Sequence, residues 1–218
     1  MNLLLRDRVT QALGTPCGHP IFAALYDLLT RSAEKKFLGA HRAYLAGGTA
    51  GRVLDVGSGT GANFGYYPPA AEVVGVEPDP YMARRARARA QRLGKPVTLL
   101  EVGAEQLPFP DASFDAAVVT LVLCTIQDPE RALAELRRVL RPGGQLRFLE
   151  HVRATTPGWV RFQDLVTPLW KRIGAGCHPN RDTVGAIERS GFRITELERY
   201  AFGPYPIRPM IRGVALRA

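Results

Sequence analysis

The chain has 218 residues, 46% of them hydrophobic and 22% charged. That is enough to bury one substantial core, which excludes intrinsic disorder as the whole answer and sets one globular unit as the expectation. Twenty-nine basic side chains against twenty acidic ones leave a net charge of +9, which raises the question of an anionic partner. Lysine occurs only at positions 35, 36, 95 and 171, and the other basic residues are arginines scattered along the chain. The densest run, Arg84, Arg85, Arg87, Arg89 and Arg92, alternates with alanine and has no aromatic neighbours on which bases could stack. It reads as a solvated helix face, and no nucleic-acid partner is expected.

Cys17, Cys124 and Cys177 are odd in number and widely spaced, with no CxxC or Cys/His ligand pattern, so neither a disulfide framework nor a metal site is expected. The chain reads as reduced and cytoplasmic. No apolar run approaches the roughly 18 residues of a spanning helix, and MNLLLRDRV is too short and too quickly charged for a signal peptide. Further on, Phe22, Leu25, Leu29 and Ala33 recur at helical spacing. Two readings of that stripe stay open: a helical cap over the core or active site, and a peripheral contact with a membrane surface through the apolar face and the positive charge.

From Gly51 onward strands and helices alternate. RVLDVG, EVVGVE, PVTLLEV, FDAAVVTLVL and GQLRFLEHV read as strands. Between them, one helix follows Asp79 and stops at Gly94, and another has Asp128 as its N-cap and Pro129 at its first position. Ala132, Leu133, Leu136, Val139 and Leu140 form a stripe for burial in the second helix. After the fifth strand, Trp159, Phe162, Leu165, Val166, Leu169 and Trp170 make an apolar stripe interrupted by Pro168, read as either a substrate lid or a core-packing helix. NRDTVGAIERSGF gives a capped helix closed by Gly191, and FRITELERY and IRGVALR give two final strands. The pattern predicts an α/β, Rossmann-like, doubly wound and mainly parallel seven-stranded sheet, with ligands at the carboxyl ends of its strands. Residues 1–50 are expected to form the cap and 51–218 the main domain.

The strongest chemical signal is VLDVGSGTGANF, in which Gly57, Gly59 and Gly61 occupy the turn between the first strand and its helix. Glycines there let the backbone approach a ligand closely. Glu77 follows twenty residues after Gly57, at the tip of the second strand, where a carboxylate can accept both hydroxyls of a ribose. Alone, this arrangement fits a nicotinamide dinucleotide as well as S-adenosylmethionine.

Downstream, GAEQLPFPDASFDAAVV puts Glu105 after the third strand, and RVLRPGGQL enters the fifth strand through two glycines. As an ordered set, from Arg52 to Val152, these motifs resemble the class I S-adenosylmethionine-dependent methyltransferases. GTGANFGYYPP, LVLCTI, FLEHV and GCHPNRDT, with the ending IRPMIRGVALRA, are similar to the methyltransferase-like seven group of thiol S-methyltransferases and its bacterial relatives. The resemblance implies S-adenosyl-L-methionine as cofactor and a small-molecule substrate. It implies cofactor contacts from Asp55, Gly57, Ser58, Gly59, Thr60, Gly61 and Asn63, with Asp55 receiving the ammonium directly or through water. Glu77 would fix the ribose, Pro78 and Met82 would lie near the adenine, and Thr120 and Leu121 would offer main-chain contacts. Many family members have aspartate where this chain has Gly103, which leaves adenine recognition to Glu105 or to main-chain groups near Ala104.

Methyl transfer acts on an already activated sulfonium, so a strong general base is optional. If one acts, His151 with Glu150 at the end of the fifth strand is the first choice and His178 the second, while Cys124 reads as a small core thiol beside the cofactor. The expected activity is methyl transfer to a small lipophilic acceptor, best read as a thiol. The alternatives are O-, N- or C-methylation of a phenol, quinone or phospholipid head group, or a non-catalytic cofactor-binding or RNA-associated protein.

Overall fold

In a computed structural model, which describes residues 20–218, seven strands form one sheet. They are β1 (Arg52–Val56), β2 (Glu72–Val76), β3 (Val97–Leu100), β4 (Phe114–Thr120), β5 (Leu140–His151), β6 (Phe192–Ala201) and β7 (Pro209–Arg217). Their spatial order is β3-β2-β1-β4-β5-β7-β6. Neighbours from β3 to β5 run parallel, and β7 lies antiparallel between β5 and β6. Chain order reverses between β1 and β4, the position at which open α/β sheets form ligand crevices.

Successive residues of each strand point to opposite faces, and both faces are apolar. Leu54, Val74, Ala117, Val119 and Phe148 face one core, shared with Leu133 and Leu136 of helix α4 (Pro129–Val139) and Ile187 of α6 (Thr183–Arg189). Val53, Val73, Ala116, Val118 and Leu149 face the other. That second core takes Ala86 and Ala90 from α3 (Pro80–Arg92) and Leu45 and Ala46 from α2 (Gly39–Gly47). The predicted caps form: Asp79 accepts from the N–H groups of Tyr81 and Met82, and Asp128 from that of Arg131.

The N-terminal helices run without a break from α1 (Pro20–Ala33) through a π-helical turn (Glu34–Leu38) into α2. Asp27 of α1 is the tether, accepting from Thr60 Oγ1 of the glycine loop at 2.6 Å and pairing with Arg89 of α3 at 2.9 Å. Within the predicted stripe of α1, Phe22 and Ala33 are half-buried while Leu25 and Leu29 are exposed. No described helix is long and apolar enough to cross a membrane. Cys17 lies outside the described residues.

Two expectations need correction. The glycine loop leads into one short 3-10 turn, Phe64–Tyr66, and not into a full helix. Gly57, Gly59 and Gly61 all take positive φ, which α-helix excludes, and Pro68 and Pro69 follow at once. Helix α5 (Pro157–Ile173) continues through Pro168, and its apolar stripe is divided: Leu165 is 78% exposed and Leu169 64%, while Val166 and Trp170 are half-buried. The helix docks through a polar residue. Gln163 is fully buried, donates to the carbonyls of Val152, Pro179 and Pro206, and accepts from the Ala154 N–H. This one amide, its two N–H donors shared among three carbonyls, docks a helix for which a lid and a core-packing role had both been open.

Leu136→Ala should destabilise the fold by about 2–5 kcal/mol in urea unfolding, because its side chain is fully buried. Leu165→Ala should change stability by less than about 0.5 kcal/mol. Equal effects would contradict this assignment of the two helix faces.

Candidate active site

A cleft of about 1370 Å³ crosses the carboxyl ends of β1 to β5. Its floor comes from the residues that end each strand: Gly57 and Gly59 after β1, Glu77 and Pro78 after β2, Ala104 and Glu105 after β3, Thr120 and Leu121 at β4, and His151 at β5. Met82 of α3 also faces it. Ten of the expected site residues therefore meet on one surface although they are spread over 95 positions of the chain.

The glycine loop is fitted closely. A Cβ on Gly57 would lie 2.6 Å from Val122 and one on Gly61 would lie 2.7 Å from the Phe64 ring, in each case at a positive φ that already disfavours a side chain. Glu77 Oε2 accepts from the Gly59 N–H at 2.8 Å and Oε1 from the Asp79 N–H at 2.9 Å, which locks the tip of β2 to the loop after β1. Burial raises the Glu77 carboxyl to about 7, against the lowering effect of those two N–H groups.

The other expected loop residues stand behind the cleft wall. Asp55 is fully buried; its Oδ1 accepts from Tyr67 Oη at 2.6 Å and Asn63 Nδ2 at 2.8 Å, while its Oδ2 has no partner. Asn63 passes the network on to Arg42 at 2.8 Å, and Arg42 pairs with Glu34 of the π-helical turn. Burial pushes the Asp55 carboxyl up, opposed by its hydrogen bonds. Asp55 thus stands as an anchor beneath the loop, outside the cleft lining, with Oδ2 as its one unpartnered oxygen. Ser58 bonds back to the Asp55 carbonyl and Thr60 to Asp27, so both fix loop shape, as Gly61 and Asn63 do.

At the β4–β5 end the expected acid–base pair separates. Glu150 is fully buried, and its carboxylate accepts from the N–H groups of Val122 (2.8 Å), Leu123 (2.9 Å) and Cys124 (3.2 Å). It braces that turn from behind and does not line the cleft beside His151, where the reading of the two as an acid–base pair had placed it. His151 does face the cleft. Its Nδ1 lies 3.7 Å from Cys124 Sγ and 3.7 Å from Cys177 Sγ, and all three residues line the wall. The sequence spacing gave no sign of this cluster, because its members come from the β4 turn, the tip of β5 and the loop after α5. The neighbouring Cys124 thiol and the His151 ring lower Cys177 to about 5, while Cys177 and burial raise Cys124. His178 also lines the cleft, with its N–H on the Cys124 carbonyl at 2.6 Å. Sequence reading missed Cys177, Tyr26 and Phe202 as wall residues; the two aromatics carry no motif, and Cys177, though inside GCHPNRDT, has no ligand spacing to mark it.

This sheet order and this cleft define the architecture of a class I methyltransferase. A methyltransferase-domain family model matches residues 54–148. The human thiol S-methyltransferase TMT1B is 34% identical, over 92% of this chain and 89% of its own length. Demethylmenaquinone methyltransferase of Thermus thermophilus is 44% identical, but over only 45% of this chain. Among solved structures, an S-adenosylmethionine-dependent methyltransferase from Aquifex aeolicus superposes with a TM-score of 0.63 at 20% identity, covering 92% of this chain and 99% of the other. The chain belongs to the S-adenosylmethionine-dependent methyltransferases, as a member of the family that contains the thiol S-methyltransferases TMT1A and TMT1B.

The residues present suit S-adenosylmethionine: a side-chain-free loop beside a buried carboxylate that carries unused lone pairs, on a cleft large enough for cofactor and acceptor together. Cofactor affinity should fall as pH drops below about 7, where Glu77 takes up a proton and loses acceptor capacity. Glu77→Gln should weaken binding about 10- to 100-fold and flatten that pH dependence, as measured by isothermal titration. A wild-type affinity constant from pH 6 to 8 would contradict the role given to Glu77.

Proposed function

We propose that the protein transfers the methyl group of S-adenosylmethionine to the sulfur of a small lipophilic thiol. The observation that carries this reading is the makeup of the cleft at its β4–β5 end, where Cys124, His151 and Cys177 stand among apolar residues. Phe22, Tyr26, Trp170, Phe202, Ile207 and Met210 line the same cleft from α1, α5 and the β6–β7 segment. Such a wall favours an apolar acceptor with one soft, ionisable atom. The likeness to a thiol S-methyltransferase, 34% identical over 92% of the chain, supports it; a demethylmenaquinone methyltransferase matches over 95% at 31% identity, so the makeup of the cleft and not coverage favours the thiol.

The cofactor supplies an activated methyl on a cationic sulfur. The chain's residues supply position. Glu77 and the glycine loop hold the nucleoside side over β1 and β2, which leaves the β4–β5 side of the cleft for the acceptor. Holding nucleophile and methyl at attack distance contributes about 7–11 kcal/mol to the barrier reduction, enough for a reaction of an activated donor. A thiol with a pKa of about 8.5 is partly ionised at neutral pH, and the thiolate is the stronger nucleophile. Glu105 faces the adenine side; a Cβ at Gly103 would lie 2.9 Å from its Oε2, so its carboxylate fills the space that a longer residue at 103 would need.

A panel of alkyl thiols, phenols, a demethylated quinol and phosphatidylethanolamine, incubated with isotopically labelled cofactor and read by product mass, tests the acceptor. The expected product is a methyl thioether, with kcat/KM at least about tenfold above any other class, equivalent to about 1.4 kcal/mol of transition-state preference. Methylation of a quinol carbon, a phenol or an amine without thioether formation would overturn the thiol assignment.

A further inference from the structure

We infer that Cys124, His151 and Cys177 form a three-ligand site for a zinc ion whose open fourth position faces the cleft and takes the acceptor's sulfur. This rests on the thiol reading only for the fourth ligand; the metal site stands on its own geometry.

One ligand atom from each residue can be chosen so that all three lie within 4.8 Å of one another, with both Nδ1–Sγ separations at 3.7 Å. Tetrahedral zinc, with Zn–S of about 2.3 Å and Zn–N of about 2.0–2.1 Å, sets ligand–ligand edges of about 3.6–3.8 Å. Both Nδ1–Sγ separations already match it, and the two sulfurs, no more than 4.8 Å apart, need to close by at most about 1 Å. Two sulfurs and one imidazole are a donor set that soft or borderline cations favour, and three protein ligands with an accessible fourth place is the pattern of reactive rather than structural zinc sites. All three residues line the cleft, so the fourth position opens onto the acceptor side.

The surroundings are built to hold these ligands still. Glu150 fixes the main chain of Cys124 through the 122–124 turn, and the Cys124 carbonyl in turn takes the His178 N–H, tying the Cys177 loop to the same turn. Arg181 donates to the Leu123 carbonyl from the far side of that loop. The buried indole N–H of Trp170 stands beside Cys177 and favours its thiolate form. Burying two cysteine sulfurs as anions is costly without compensation, and a dication neutralises both charges.

The chemistry balances without a further reagent. The acceptor thiol loses its proton to solvent as its sulfur binds the metal. That sulfur then forms the new S–CH3 bond, the cofactor's sulfonium–methyl bond breaks, and its electron pair stays on the cofactor's sulfur. The product thioether is neutral, a weaker ligand than a thiolate, and leaves the fourth position free.

The test begins with elemental analysis of the purified, dialysed full chain, where about one zinc per chain is expected. Replacement by cobalt(II) should give sulfur-to-metal charge-transfer absorption and the visible bands of a four-coordinate ion, and an alkyl thiol should shift those bands. Cys177→Ser and His151→Ala should each weaken metal binding at least about 100-fold, with S-adenosylmethionine affinity kept within about threefold as the control for folding. Folded protein that retains neither metal, or that carries a Cys124–Cys177 disulfide as purified, would overturn the site. Cobalt bands that ignore the thiol would overturn the open fourth position. Full thiol turnover by chelated, metal-free protein would defeat this inference and leave the thiol reading intact, while a bound metal with no thiol methylated would retain the site and defeat that reading.

Discussion

A single buried carboxylate holds the two halves of the cleft in register. Glu150 leaves β5 beneath the turn that follows β4 and accepts three consecutive main-chain N–H groups, those of Val122, Leu123 and Cys124. Those donors lie in a turn that enters no strand ladder, so without Glu150 they would be buried and unpaired, at a cost of about 1–3 kcal/mol each. The turn is itself unusual: Leu121 sits at φ +61, with its N–H on the Leu149 carbonyl, a conformation that L residues adopt only when their surroundings impose it. From that turn Val122 packs against Gly57 on the cofactor side, and Cys124 faces the acceptor side. The position of the cofactor loop relative to the acceptor wall therefore depends on one side chain that touches neither ligand.

A second polar network does the same for the cap. Asp55, Asn63, Arg42 and Glu34 link β1 to the π-helical turn, and Asp27 links α1 to Thr60 and Arg89. The excess of arginine gains a structural explanation here. Arg147 donates to the carbonyls of Leu45 and Tyr44 at the end of α2, and Arg138 reaches Glu135, Asp111 and the carbonyls of Leu107 and Phe109. A guanidinium with five donors can join several segments at once, which a lysine cannot. Two residues of the densest run, Arg87 and Arg89, are likewise paired, with Glu101 and Asp27.

Sequence reading succeeded where chemistry is encoded locally. The caps at Asp79 and Asp128 and the stripe from Ala132 to Leu140 declare themselves within a few residues, and the twenty-residue spacing of Gly57 and Glu77 places both at the cleft. It failed where function depends on contacts distant in the chain. Glu150 and His151 are neighbours in sequence, but adjacent strand residues point to opposite faces, so one braces the turn while the other meets the cleft. Cys124, His151 and Cys177 carry no spacing signal because the sheet, not a local loop, brings them together. The apolar residues of α5 left a lid and a packing helix both open, and one glutamine, inconspicuous in the sequence, decides which face of the helix turns inward.

If Glu150 sets the acceptor wall against the cofactor floor, removing its charge should separate binding from turnover. Glu150→Gln, with folding verified, should keep S-adenosylmethionine affinity within about threefold while kcat falls about 100-fold, the cost of a misplacement near 1 Å between reacting groups. Unchanged kcat, or a loss of cofactor affinity as large as the loss of kcat, would contradict this account of how the structure works.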